Sequence, residues 1–233
     1  METNTDTKMR SKVFNVIILD KSGSMTSIAK QAIDGVNETI ASIRRSQEKH
    51  PEQENLLTLV AFCGCEIKKI YEQCPIDEVK PITSNDYKPC CMTPLYDAIG
   101  NTITAVHRLM ESETNAIASV TIITDGYENA SKEFTHKAIR SLIEAYKSEG
   151  WLFAYIGAEH DVEAVSFSLS IDNNLTFDKN EESTKAMFCC LQESRDSYIN
   201  DVAPAMYSSE LDEEQKRQIL RQRSKSFFRK RDK

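Results

Sequence analysis

The sequence predicts an α/β fold: a Rossmann-like, doubly wound sheet of six mostly parallel strands, with helices on both faces and a helical extension at the carboxyl end. Apolar runs of strand length alternate with segments of helical period, as a parallel sheet covered on both faces requires. The 233 residues suit one domain plus an extension, since a domain takes about 150 residues. No internal repeat or low-complexity tract interrupts the alternation. The expected division is residues 12–180 for the main domain and 181–233 for the extension.

The first strand is the apolar run Val13 to Leu19. Behind it Ile28, Ala32, Ile33, Val36, Ile40 and Ile43 recur at three- and four-residue steps, giving a helix with one buried stripe. Leu56 to Phe62 is a second buried strand. Glu66 to Tyr71 follows after Cys63-Gly64-Cys65, a gap short enough for a hairpin, so the third strand is expected to be antiparallel and at the sheet edge. Pro75, Pro81 and Pro89 punctuate a loop. Leu95, Ala98, Ile99, Thr102, Val106, Leu109 and Met110 form the next amphipathic face, before the strand Ser119 to Thr124.

A helix is expected from about Lys132 to Ser148, with Gly150 as its terminator. Trp151 to Ile156 is a fifth strand, and Ile171 to Phe177 a sixth, after a helical turn near Val162 to Phe167. Glu181 to Glu193 closes the domain as a last helix. Ser209-Glu210-Leu211-Asp212 has the form of a helix-starting cap, with acids early and basic residues later to suit the helix dipole.

Charge is unevenly distributed. The net charge is −7, but Lys216 to Lys233 holds nine Lys or Arg against one acid, a local +8 that leaves −15 for residues 1–215. An acidic body argues against nucleic-acid binding by the main domain. The basic tail alone could serve that role or dock on an acidic surface; by composition it is expected to be partly disordered. Met1 to Lys12 is polar and lacks the apolar stretch of a secretory signal, and no run approaches the ~18 apolar residues of a membrane helix.

Seven cysteines, an odd number with two adjacent pairs, make a poor disulfide framework and fit a reducing compartment. Cys63-Gly64-Cys65 and Cys90-Cys91 lack the two-residue spacing of zinc knuckles, and His50, His107, His136 and His160 are scattered singly. Thiols used as small apolar side chains are the favoured reading.

Function-bearing residues gather at strand ends. Asp20-Lys21-Ser22-Gly23-Ser24 follows the first strand, Met92-Thr93-Pro94-Leu95-Tyr96-Asp97 opens a helix, and Thr124-Asp125-Gly126 ends a later strand. A hard cation such as Mg²⁺ wants oxygen ligands in near-octahedral array and keeps several waters, so a few Asp, Ser and Thr oxygens can hold it without enclosing it. Singly, the serines read as helix caps and Asp125-Gly126 as a turn. Jointly they read as a metal site.

Together the three motifs resemble the von Willebrand factor A family and its metal-ion-dependent adhesion site, over roughly residues 12 to 180. The matching positions are Asp20, Ser22, Ser24, Thr93 and Asp125. The resemblance implies a strand order of 3-2-1-4-5-6, which the alternation of elements also leads us to expect. It further implies Mg²⁺ or Mn²⁺ held directly by the two Ser hydroxyls, with the Asp side chains often acting through waters or hydrogen bonds. An Asp or Glu carboxylate of a partner protein would complete the shell. With that order, the first and fourth strands flank the point of reversal, where ligands of open α/β sheets bind. Asp97, inside its helix, is expected to bond a loop backbone rather than metal, and Glu128 to face solvent or the ligand rim. Met92 and Tyr127 could supply apolar contacts there.

The chain looks similar to stand-alone cytosolic bacterial members of that family, including those of tellurium-resistance and stress gene clusters, so a cytoplasmic location is expected. Two rivals are weaker. A phosphatase with Asp20 as nucleophile wants a second acid two residues on, where this chain has Ser22, and no phosphate-binding glycine loop or nucleophile elbow is present. No catalytic residue is therefore predicted. A metal-free scaffold would need lost oxygen donors, and all five are in place.

Overall fold

The computed structural model describes residues 11–113, 115–158 and 161–228. Six strands form one sheet: β1 Ser11–Asp20, β2 Gln53–Cys63, β3 Glu66–Pro75, β4 Ala116–Thr124, β5 Leu152–Gly157 and β6 Asn173–Thr176. Their order is β3-β2-β1-β4-β5-β6, with β3 antiparallel to β2 and every other pairing parallel, as expected from the sequence. The helices are α1 Ala29–Lys49, α2 Leu95–Met110, α3 His136–Ser148, α4 Val162–Ser168, α5 Glu181–Tyr207 and α6 Glu213–Ser224. Among the described residues no helix is long and apolar enough to cross a membrane.

Alternation along the strands builds two cores, because successive side chains point to opposite faces. From β1, Val13, Ile17 and Leu19 join α1, α5 and α6 on one face, while Phe14, Val16 and Ile18 join α2, α3 and α4 on the other. On α1 the buried stripe runs Ala32, Gly35, Val36, Thr39, Ile40 and Ile43. Gly35 is there because the Phe188 ring of α5 lies against it; a Cβ would stand 2.0 Å from that ring. Between α1, β1 and α5 lies the buried Arg195, whose guanidinium donates to Asn15 Oδ1 (3.2 Å), Ser42 Oγ (3.1 Å) and Asp196 (3.1 Å). Burial lowers its pKa to about 10 despite the neighbouring Asp196.

Several boundaries differ from the sequence reading, each for a local reason. Strand β3 continues to Pro75 through register shifts opposite Leu57 to Val60, with Gln73 in the left-handed region. The β3 edge exposes Lys69, paired with Glu72. Helix α3 starts at His136, capped by Thr135, because the preceding N–H groups of Lys132, Glu133 and Phe134 are taken by Asp97. Gly150 does end that helix region, at φ +97°. Helix α5 runs on past Glu193 because Arg195, Tyr198, Ile199, Val202 and Met206 extend its buried stripe.

Leu109, counted in the apolar stripe of α2, is left 40% exposed where the helix overhangs the β3 edge. Strand β6 is only four residues long. Asp212 and Gln215 form a reciprocal cap on α6. Within the basic segment Leu220 and Phe227 are buried in the core on the α1 side; residues 229–233 lie outside the described residues.

Candidate metal centre

Strands β1 and β4 are adjacent and parallel, and the chain leaves each at the same end of the sheet. That register delivers Asp20 and Asp125 side by side, at the point where the strand order reverses. Asp20 has no exposed surface. Its Oδ1 accepts from the Ser22 N–H (2.6 Å) and its Oδ2 from the Thr124 hydroxyl (2.6 Å). Burial raises its pKa to about 6, with Asp125 adding to the rise and these hydrogen bonds opposing it. The Tyr87 hydroxyl donates to the Asp20 carbonyl at 2.6 Å, fixing the backbone beneath.

Past Asp20 the chain makes a 3-10 turn, Gly23–Ile28, in which the Ser22 side chain makes no capping hydrogen bond. The capping explanation for Ser22 thus does not apply. Its hydroxyl lies 3.0 Å from Ser24 Oγ, and Ser24 Oγ donates to Asp125 Oδ1 at 2.6 Å. Thr93 is pinned by a pair of bonds with Asn129: its N–H donates to Asn129 Oδ1 (2.8 Å) and its carbonyl accepts the Asn129 N–H (3.1 Å). The Thr93 and Ser24 hydroxyls flank Gly126, where an added Cβ would meet them at 3.6 and 3.9 Å. The structure therefore gathers the oxygens of Asp20, Ser22, Ser24, Thr93 and Asp125 in one place.

The donor set fits a hard divalent cation. Metal–oxygen bonds of about 2.1 Å at right angles put neighbouring oxygens about 3 Å apart, which is the spacing of the two serine hydroxyls. A cationic group already stands there: Lys179 Nζ donates to Asp125 Oδ2 (3.1 Å) and to the Ser24 carbonyl (3.4 Å). Asp20, Ser22, Thr93 and Asp125 are buried and Ser24 is exposed, so the site opens at Ser24. Met92 and Tyr127 stand exposed nearby in sequence, at 58% and 56%.

Asp97 accepts from the loop N–H groups of residues 132–134, as its place in the helix suggested. Glu128 is half-buried rather than a free rim group; it accepts from the N–H groups of Tyr96, Ala130 and Ser131. Thr124, Asn129, Tyr87 and Lys179 were missed by sequence reasoning. Thr124 alone carried a signal, as a hydroxyl beside Asp125 in an otherwise apolar strand. A cleft of about 270 Å³ lies elsewhere, lined by His107, Trp151, Lys216 and Leu220 among others, and includes none of the five oxygen donors.

No protein-family model matches the chain, and no curated protein matches it. Solved structures do resemble it. Proximal thread matrix protein 1 from the mussel byssus is 12% identical with a TM-score of 0.53, over 79% of this chain and 46% of that one. A von Willebrand factor type A protein from Catenulispora acidiphila is 13% identical with a TM-score of 0.50, over 79% and 42%. The vWF domain of the type V pili tip protein Mfa5 from Porphyromonas gingivalis is 10% identical with a TM-score of 0.53, over 79% and 96%. The chain thus spans less than half the length of the first two. These likenesses show the fold, which is that of von Willebrand factor A domains.

Proposed function

We propose that the chain is a divalent-metal-dependent protein-binding module of the von Willebrand factor A type, without enzymatic activity, whose bound ion recruits an acidic side chain of a partner protein. The observation that carries this reading is the 3.0 Å pair of serine hydroxyls joined to Asp125 at the switch point of the sheet. Ser22, Ser24 and Thr93 would hold Mg²⁺ or Mn²⁺, with Asp20 and Asp125 as anionic support. The ion would supply a position open to an outside carboxylate oxygen.

The chain's own residues prepare that role. Thr124 and the Ser22 N–H orient the Asp20 carboxylate, and Asn129 holds the buried Thr93 in place. Two carboxylates nearly neutralise a divalent cation, so hydroxyl ligands in front and carboxylates behind would leave it attractive to an anion. The pilus-tip neighbour supports an interaction role by likeness of fold. We place the protein in the cytoplasm, similar to the stand-alone tellurium-resistance and stress type.

Calorimetric titration with Mg²⁺ and Mn²⁺ of the wild type and of Asp20→Ala tests the reading. Binding lost in the variant, with no phosphatase activity in either protein, is the expected result. Phosphate-ester hydrolysis abolished by Asp20→Ala would favour the Asp20 phosphatase. Absence of binding in the folded wild type would favour a scaffold. Recovery of a partner that is released by chelator would extend the reading to its ligand.

A further inference from the structure

Four of the seven cysteines meet beside the Asp20 loop. Cys63 ends β2 and Cys65 lies in the turn to β3, while Cys90 and Cys91 come from the loop that leads to Thr93. Cys63 Sγ is 3.2 Å from Cys90 Sγ, and Cys65 Sγ is 2.6 Å from Cys91 Sγ. The sulfurs of Cys63, Cys65 and Cys90 all lie within 4.8 Å of one another. The expectation of thiols used as buried apolar side chains holds here for Cys63 alone; Cys65 and Cys91 are exposed and Cys90 is half-buried.

The geometry points to a thiolate site for one thiophilic d¹⁰ cation, Zn²⁺ or Cu(I), held by Cys63, Cys65 and Cys90 with Cys91 placed to serve as a fourth ligand. Thiolates select such ions over Mg²⁺. A tetrahedral ion with sulfur at about 2.3 Å sets the sulfurs about 3.8 Å apart, within the observed spread of 2.6 to 4.8 Å. The thiols give their protons to solvent as the ion binds. The Lys21 ammonium, paired with Glu66, is close enough to Cys63 and Cys90 to offset the negative charge of a tri- or tetrathiolate complex.

The backbone is already braced for this. The Cys90 N–H donates to the Lys21 carbonyl (2.8 Å), the Gly23 N–H to the Cys91 carbonyl (3.1 Å) and the Gly64 N–H to the Met92 carbonyl (2.7 Å). Cys91 is held at φ 62°, a left-handed conformation that a non-glycine residue adopts only under such constraint. An ion bound here would fasten the β2–β3 turn to the loop that carries Thr93. The spacing that argued against a zinc knuckle is circumvented because the two cysteine pairs come from different loops.

The test uses the full chain, stripped of metal and kept reduced. Co²⁺, as a stand-in for Zn²⁺, is expected to bind one per chain with intense sulfur-to-metal charge-transfer absorption and the d–d bands of a tetrahedral site. Zn²⁺ should displace it stoichiometrically. Cu(I), titrated against a chromophoric chelator, shows which ion is preferred. The signal should vanish in Cys63→Ser and Cys90→Ser and persist in Cys189→Ser/Cys190→Ser. A hundredfold excess of Mg²⁺ should leave it unchanged, so that the outcome is independent of the oxygen site. Wild-type protein with all thiols reduced that binds neither Zn²⁺ nor Cu(I) overturns the proposal without recourse to any variant. So does a signal that survives in Cys63→Ser/Cys90→Ser, or a Cys63–Cys90 disulfide that persists under the reducing conditions used.

Discussion

Lys179 Nζ lies 3.1 Å from Asp125 Oδ2, so a tethered ammonium sits on one of the carboxylates proposed to support the metal. The Lys179 side chain is mostly buried and the Asp125 side chain wholly so. A divalent ion entering beside Ser24 must therefore displace or tolerate that charge. Lys179→Met is expected to raise Mg²⁺ affinity severalfold, since the entering ion no longer meets a fixed positive charge in a water-poor site. Isothermal titration reads the change directly, and weaker binding would mean that Lys179 helps to build the site.

Asp20 gives a pH dependence whose sign is unusual for a carboxylate. Its folded pKa, about 6, exceeds the ordinary 3.8, so its contribution to stability is fully present below about 3.8 and is lost as pH rises through about 6. At neutral pH this group alone costs the metal-free protein about 3 kcal/mol. Metal-free protein should melt at a higher temperature when acidified from pH 7 to 5, and Asp20→Asn should flatten that slope. Mg²⁺, which needs the ionised carboxylate, should raise the melting temperature more at pH 7 than at pH 5.

The hydroxyl that orients Asp20 is expected to matter nearly as much as a ligand. Thr124→Val keeps the shape of the side chain but removes the donor to Asp20 Oδ2. Loss of such an orienting partner costs about 10–100-fold in metal affinity. Far-ultraviolet circular dichroism should be unchanged while calorimetry shows the loss; an unaltered affinity would remove Thr124 from the site.

Packing between α1 and α5 gives a stability test remote from the site. Gly35→Ala drives a methyl group into the Phe188 ring, and overpacking of this kind costs about 1–3 kcal/mol. The midpoint of urea unfolding should fall accordingly. Gly35→Ala with Phe188→Leu should recover part of the loss, since the smaller side chain leaves room for the Cβ.

The fold was legible in the sequence because β1, β4 and β5 are apolar runs each followed by a helical stripe, and the hairpin spacing at Cys63 to Glu66 dictated the one antiparallel pairing. The convergence of Asp20, Ser22, Ser24, Thr93 and Asp125 was legible because they follow strand ends or open a helix, where chain position alone brings them together. What escaped detection depends on contacts between distant segments. Lys179 reaches Asp125 from the loop after β6, Asn129 meets Thr93 from another loop, and Tyr87 lies under Asp20. None of these pairings has a periodic or motif-like trace. The same reason hid the convergence of Cys63 and Cys65 with Cys90 and Cys91, whose spacing within each pair suggested no common target.

Both borders of the sheet are inhospitable to another strand. On one side β3 is bent by its register shifts and by the left-handed Gln73, and it shows Lys69 to solvent. On the other β6 spans four residues, and the Asn173 side chain at its start is tied to the Ser224 carbonyl at the end of α6 (2.8 Å). Along the described edges these features disfavour pairing main chain to main chain between copies of this chain. Among the described residues, the surfaces this leaves for contact between copies are those of the helices and of the loops above the carboxyl ends of the strands.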